Sequence, residues 1–246
     1  MNLKVDTTIE EAPEEPTPQK PLGQRAKSEA IAWFWIILAF LFIYSCVGQA
    51  RVIPSESMEN TLLVGDHLIM SRAGYDMGLP FTPWHVPLWR NPKRQQIVII
   101  RAPQLEGQPD LIKRVIGIPG DTVDIRDGHV YVNDALLDEP YLKEPDVPIT
   151  FPSDHRPPWK VPPGNYFVMG DNRSDSYDSR WWGFAPRETL IGVPVMIYLS
   201  VDAPKAPGEM HTQAWEPGHL MERFSAYASC LIHPSRVRWG RLFHFF

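Results

Sequence analysis

Cysteine is almost missing from this chain, with 2 in 246 residues. Cys46 sits in an apolar run and Cys230 near the C-terminal end, so no disulfide framework organises the fold. Cys230 lies in Ala-Ser-Cys-Leu-Ile, the setting of a small buried hydrophobe rather than of a nucleophile. The 8 histidines are scattered, with no His-Glu-x-x-His and no Cys/His ladder, so neither a metal nor another cofactor is expected. Positive charge is also in deficit: 24 Lys+Arg against 29 Asp+Glu leave a net charge of -5, which argues against nucleic acid as a partner. Glycine is outnumbered, 16 against 26 prolines. Proline is unwelcome inside helices and central strands, so the fold expected is loop-rich and mainly β.

What is present begins with a contrast at the N-terminus. Residues 1–28 hold Glu10, Glu11, Glu14 and Glu15 among prolines and read as a disordered tail, too polar to bury a core. Residues 29–49 read as a membrane helix. Their stretch AIAWFWIILAFLFIYSCVG carries no charge, is long enough for a hydrocarbon core of about 30 Å, and has Trp33 and Trp35 for an interfacial belt. A cleaved signal peptide fits less well, because the run starts late, is long, and lacks an Ala-x-Ala-like end. A buried core helix also fits less well, because the run is apolar on every face without interruption. Lys20, Arg25 and Lys27 precede the run and only Arg51 closely follows. The positive-inside rule then puts the N-terminus in the cytoplasm and residues 50–246 outside.

Beyond the helix, short β-prone runs alternate with turn residues. Val64–Met70, Gln96–Arg101, Tyr166–Met169 and Val193–Val201 read as strands, the last confined to an edge or a strand start by Pro194. Thr122–Asn133 reads as a hairpin turning at Asp127-Gly128. About 200 residues suffice for one domain, with a small insert around 121–165; residues 138–163, rich in proline and charge, suit an extended excursion. Residues 78–89, GLPFTPWHVPLW, are too proline-rich for a core helix or strand. They are a packed loop or a loop that dips into lipid. The C-terminal RVRWGRLFHFF either rests on anionic headgroups or forms a last strand with a solvated face.

Three elements carry chemistry. Ser57, in Pro54-Ser55-Glu56-Ser57-Met58, follows the apolar run by about nine residues, which limits its height above the bilayer to about 30 Å. Lys113 stands inside the apolar run Leu111–Ile118. A lysine there either snorkels or pairs with a carboxylate, or is kept neutral by burial and can accept a proton. A Ser–Lys couple is a known variant of the nucleophile–base arrangement. Gly170–Gly183, GDNRSDSYDSRWWG, is dense in carboxylates, guanidinium groups and hydroxyls. It is a polar surface turn or a fixed hydrogen-bond scaffold.

Taken in order, PSESM after a membrane helix, then IKRVIGIPGD, then GDNRSDSYDSRWWG, the chain resembles bacterial type I signal (leader) peptidase over most of residues 50–200. The resemblance implies a β-rich catalytic fold and a membrane-anchored serine endopeptidase that removes signal peptides from exported preproteins. It implies Ser57 as acylating nucleophile, Lys113 as general base, and an oxyanion hole from the Ser57 amide and the Ser55 hydroxyl. Ser176 matches the serine that orients the lysine. Asp171, Arg114, Asp178 and Arg180 match a salt-bridged support, and Ile53, Met58, Leu62 and Ile112 fall where the family lines pockets for small substrate side chains. Glu56 stands where glycine is frequent and Asn60 where proline is, and a paired-cysteine feature of some members is absent. The partners implied are signal-peptide-bearing preproteins, membrane lipids and the export translocon, at a bacterial plasma membrane. A specialised maturation peptidase of a conjugation system, or a non-catalytic assembly factor of the same fold, would share these features. A self-cleaving repressor-type protease would need a DNA-binding domain in place of the membrane helix.

Overall fold

The computed structural model describes residues 22–78, 82, 84–101, 110–142, 158–202, 221, 224, 225, 227, 228 and 232–246. The expected tail up to residue 21, residues 143–157 of the excursion and Cys230 lie outside the described residues.

The chain forms two units, Met1–Phe40 and Leu41–Phe246. In the first, α1 (Leu22–Phe42) starts inside the expected tail. Ala26–Ser45 is the one stretch among the described residues long and apolar enough to cross a membrane, and its apolar 18-residue window has no residue buried within the protein. The α-helix itself ends at Phe42, before the expected boundary, since a π-turn over Ile43–Val47 leads into β1 (Gly48–Val52).

Among the described residues, fourteen strands lie in the second unit, in keeping with the proline count. After β1 come β2 (Asp66–Ser71), β3 (Asp76–Gly78), β4 (His85–Pro87), β5 (Ile97–Ile100), β6 (Leu111–Gly117), β7 (Thr122–Arg126) and β8 (His129–Val132). They are followed by β9 (Ala135–Leu136), β10 (Trp159–Lys160), β11 (Asn165–Met169), β12 (Ala185–Pro186), β13 (Leu190–Ser200) and β14 (His244–Phe245). The main sheet has 8 strands in the order β1-β2-β13-β5-β6-β11-β12, with β14 added beside β13. A second sheet, β10-β7-β8-β9, occupies the region of the expected insert.

Local chemistry explains the best-read elements. All four residues of β5 are buried, so an unbroken Ile-Val-Ile-Ile run is what a strand covered on both faces requires. The β7–β8 hairpin turns where Asp127 and Gly128 take φ of 50° and 80°, the left-handed pair that matches strand twist.

Pro194 departs from the expectation. β13 is an internal strand, pairing β5 at Leu190 and Gly192 and β2 from Val193 onward. The proline sits after the β5 pairing has ended and before β14 begins at Met196, beside a register shift. It therefore has a neighbour on one side only, and its missing N–H costs no ladder bond. Residues 78–89 also differ. They are neither a plain loop nor core: β3 and β4 pair as a small hairpin, with Trp84 and Trp89 exposed and residues 79–81 and 83 outside the described set.

Candidate active site

Ser57 is held by a compact loop. After β1, Ile53 and Asp66 close its ends through Ile53 N to Asp66 O at 2.9 Å and Gly65 N to Ile53 O at 3.0 Å. Within the loop Glu56–Met58 form a single 3-10 turn. Thr61 and Leu62 both donate their amides to Met58 O. Met58 and Leu62 are buried with Ile53 in one apolar cluster, and Ile112 packs against it. The four expected pocket residues are thus contiguous.

β6 brings Lys113 to this loop. Its neighbour Val98 on β5 fixes the register. Lys113 is 2% exposed, and its Nζ donates to Ser57 Oγ at 2.7 Å. Burial lowers the Lys113 pKa to about 8; the Asp178 charge opposes that shift, Arg180 adds to it, and Asp171 and Asp175 oppose it. Desolvation wins because the ammonium has left water while Asp171 and Asp178 are already paired with guanidinium groups. Ser55 Oγ lies 3.4 Å from Ser57 Oγ, in extended backbone before the turn.

The third element is the turn after β11. The expected salt-bridged support is present as two pairs. Arg114 meets Asp171 in a fork, Nε to Oδ1 at 2.8 Å and Nη2 to Oδ2 at 2.6 Å. Arg180 does the same to Asp178 at 2.8 and 2.9 Å. Asp178 also caps the short helix α2 (Ser179–Trp182) through the Arg180 amide. It accepts from Gly170 N at 2.9 Å and from Ser176 Oγ at 2.7 Å. The Ser176 hydroxyl, expected to orient the lysine, thus donates to Asp178.

Several residues in the site had no signal of their own in the sequence. Asn172 donates its amide to Ser57 O at 3.0 Å and its side chain to Glu56 O at 3.2 Å. Thr61 donates its hydroxyl to Asp171 Oδ2. Asn60, noted in the sequence only as a departure from the pattern the resemblance implies, donates its side chain to Asp171 O at 2.9 Å. Gly170 is required by space: a Cβ there would lie 2.4 Å from Ser57 O and 2.3 Å from Ser176 Oγ. Glycine alone lets the two backbones approach this closely. Among the described residues no cluster of His, Cys, Asp or Glu could hold a metal.

The arrangement is that of a hydroxyl facing a buried amine, with a second hydroxyl beside it and a buried apolar cluster adjoining. Comparisons with known proteins point to one family. The family model described as signal peptidase, peptidase S26, matches residues 27–199. A probable signal peptidase I-2 of Synechocystis sp. is 40% identical over 193 residues, 74% of this chain and 80% of that protein. A signal peptidase I of Leptolyngbya laminosa is 37% identical over 204 residues, 76% of this chain and 91% of that one. A crystal structure of a signal peptidase I from Enterococcus faecalis is 33% identical and covers 42% of this chain and 97% of its own, with a TM-score of 0.35. A model that matches well over half of the chain, with relatives this similar along most of both lengths, means that the chain belongs to the signal peptidase family, peptidase S26.

Proposed function

We infer that this chain is a membrane-anchored serine endopeptidase that removes signal peptides from exported preproteins, with Ser57 as nucleophile and Lys113 as general base. The observation that carries the residue assignment is the 2.7 Å contact between Lys113 Nζ and Ser57 Oγ in a buried setting. A lysine with its pKa lowered to about 8 has a usable neutral fraction near neutral pH, which an ordinary lysine lacks.

In the acylation step neutral Lys113 takes the Ser57 proton as Oγ attacks the scissile carbonyl. The tetrahedral oxyanion is met by the Ser57 amide and the Ser55 hydroxyl, donors of a kind worth about 3–4 kcal/mol each. The protonated lysine gives its proton to the leaving amine. A water then enters, loses a proton to Lys113 and releases the signal peptide from Ser57. Ile53, Met58, Leu62 and Ile112 form the apolar floor beside Ser57, suited to small side chains next to the cut. Asp171, Arg114, Asp178 and Arg180 keep the two halves of the dyad in register, and Ser176 holds Asp178.

A signal peptide offers its cleavage site just past an apolar segment held in the bilayer. The chain order here supplies the matching arrangement, a span ending at Ser45 followed shortly by Ser57. The basic residues before the span support a cytoplasmic N-terminus and a catalytic domain outside a bacterial plasma membrane, working on preproteins beside the translocon in contact with lipid. Protease added to intact spheroplasts then digests residues 50–246 and spares the N-terminal tail; the opposite pattern overturns the topology.

Purified full-length protein incubated with a preprotein should generate a new N-terminus just after small residues, read by N-terminal sequencing. Ser57→Ala should abolish that product while leaving the circular dichroism spectrum unchanged. Normal cleavage by this variant would remove Ser57 from the mechanism, and no cleavage by the parent would favour a non-catalytic assembly role.

A further inference from the structure

Residues 234–246 lie beyond the span 27–199 that the family model matches, so the family pattern assigns them no task. We propose that this C-terminal segment is a strap that positions the Ser57 loop, with Arg241 as the side chain that does so. The inference rests on Ser57 being the nucleophile.

The strap is fastened along the main sheet at several points. β14 pairs β13 through Met196–Phe245 and Ile197–His244. Phe243 N donates to Ile197 O at 2.8 Å and Phe246 N to Val195 O at 3.0 Å. Further back, Val237 bridges Val201, and Arg238 N donates to Ser200 O at 3.0 Å. Only its end, His244–Phe245, is the last strand that one sequence expectation had; before it come two 3-10 turns, Pro234–Arg236 and Trp239–Arg241. Two of its arginines, however, point into the protein and not toward headgroups.

Those two arginines hold the loop that carries Ser57. Arg238 Nη2 donates to Val64 O and to Val201 O, pinning the end of the loop to the sheet. Arg241 Nη2 reaches both Thr61 O at 2.8 Å and Asp66 Oδ2 at 2.6 Å, and its Nε reaches Asp66 Oδ1 at 3.1 Å. Asp66 is fully buried and also accepts from Leu63 N and Ser200 Oγ. A buried carboxylate of this kind needs its counter-ion.

Thr61 is where the strap meets the catalytic support. Its carbonyl is taken by Arg241, while its hydroxyl donates to Asp171 and accepts from Arg114 Nη2 at 3.2 Å. Its amide returns to Met58 O, directly after Ser57. Arg241 thus fixes one end of a short path, Thr61 to Met58 to Ser57, whose other end is the Asp171–Arg114 pair. Hydrogen bonds to charged donors set geometry more tightly than neutral ones. Small displacements of a nucleophile are expensive in rate.

The test uses the full chain in detergent with a preprotein substrate. Arg241→Gln is expected to lower kcat by about ten- to hundredfold, the scale of a slight misplacement of the nucleophile. KM should stay within about twofold, because no substrate contact is lost. Since this variant leaves Asp66 without its counter-ion, folding loss has to be separated from positioning. Asp66→Asn/Arg241→Gln removes both charges, so Tm returns toward the parent value while kcat stays low, the Thr61 carbonyl still having no guanidinium donor. Parent-like kcat in either variant, or a change confined to KM, overturns the strap. The parent enzyme and Ser57→Ala run alongside, so a wrong nucleophile is recognised separately from a wrong strap.

Discussion

Lys113→Met should be inactive and, near neutral pH, more stable than the parent. The loss of activity follows from the 2.7 Å contact to Ser57 Oγ: without a base the hydroxyl stays protonated, and removal of a member of such a constellation costs about 10⁴-fold or more in kcat. The gain in stability follows from burial. In the folded chain the Lys113 pKa falls from 10.5 to about 8, chiefly through desolvation. Below pH 8 both folded and unfolded chains carry the proton, and the folded state bears the whole cost of a buried ammonium. Between pH 8 and 10.5 the folded state releases the proton first, so the unfolded state binds more protons and the stability of the parent rises with pH. Methionine has similar volume and no charge. Its advantage should therefore be about 2–3 kcal/mol at pH 7, shrinking through this window. Urea unfolding at pH 7 and pH 10 reads the difference directly. A variant no more stable than the parent at pH 7 would defeat the buried-charge account. The activity of the parent tells the same story from the other side. With the base protonated below about pH 8, kcat/KM should fall about tenfold per pH unit on the acid side, and a flat profile down to about pH 5 would contradict Lys113 as the base.

The features legible in the sequence were those where one local rule decides. Ile97–Ile100 is apolar on both faces because the strand is covered on both, and Asp127-Gly128 makes a turn few other pairs make. Lys113 was conspicuous because a lysine in an apolar strand is costly unless it has a task. Elements decided by tertiary context were not legible. Pro194 looked like an edge marker, and only the spacing of β5 and β14 along β13 explains its tolerance. The proline-rich residues 78–89 gave no period from which a hairpin could be read, yet backbone pairing with β3 made one. Thr61 and Asn172 are ordinary polar residues in sequence and become nodes only when distant segments converge on them. The arginines near the C-terminus read as a basic face, whereas Arg241 spends its charge on buried Asp66. Sequence distance hides a contact of that kind.

Arg114→Ala should be the most destabilising single change within the support of the dyad. Asp171 is fully buried and receives two guanidinium hydrogen bonds, at 2.8 and 2.6 Å. Removing the arginine leaves the carboxylate with the Thr61 hydroxyl as its remaining side-chain donor, and also strips the ring of Tyr141 of the guanidinium 3.8 Å from its centre. An uncompensated buried charge costs about 3–5 kcal/mol, seen as a lower urea midpoint. Arg126→Ala is the natural contrast, because Arg126 itself and its partner Asp134 are exposed and its other partner Asp124 only half-buried, so that water screens the pairs; its midpoint should hardly move. Activity separates the roles further. Asp171 already pushes the Lys113 pKa upward, and without Arg114 that push is less neutralised. The acid limb of the surviving activity should therefore shift to higher pH, while Arg126→Ala leaves the limb in place. If Arg114→Ala lowered the midpoint but left the limb unmoved, the pair would be a brace for the fold with no electrostatic hold on the base. A shift in both would mean that the charges under Ser57 set its geometry and the proton affinity of Lys113 together.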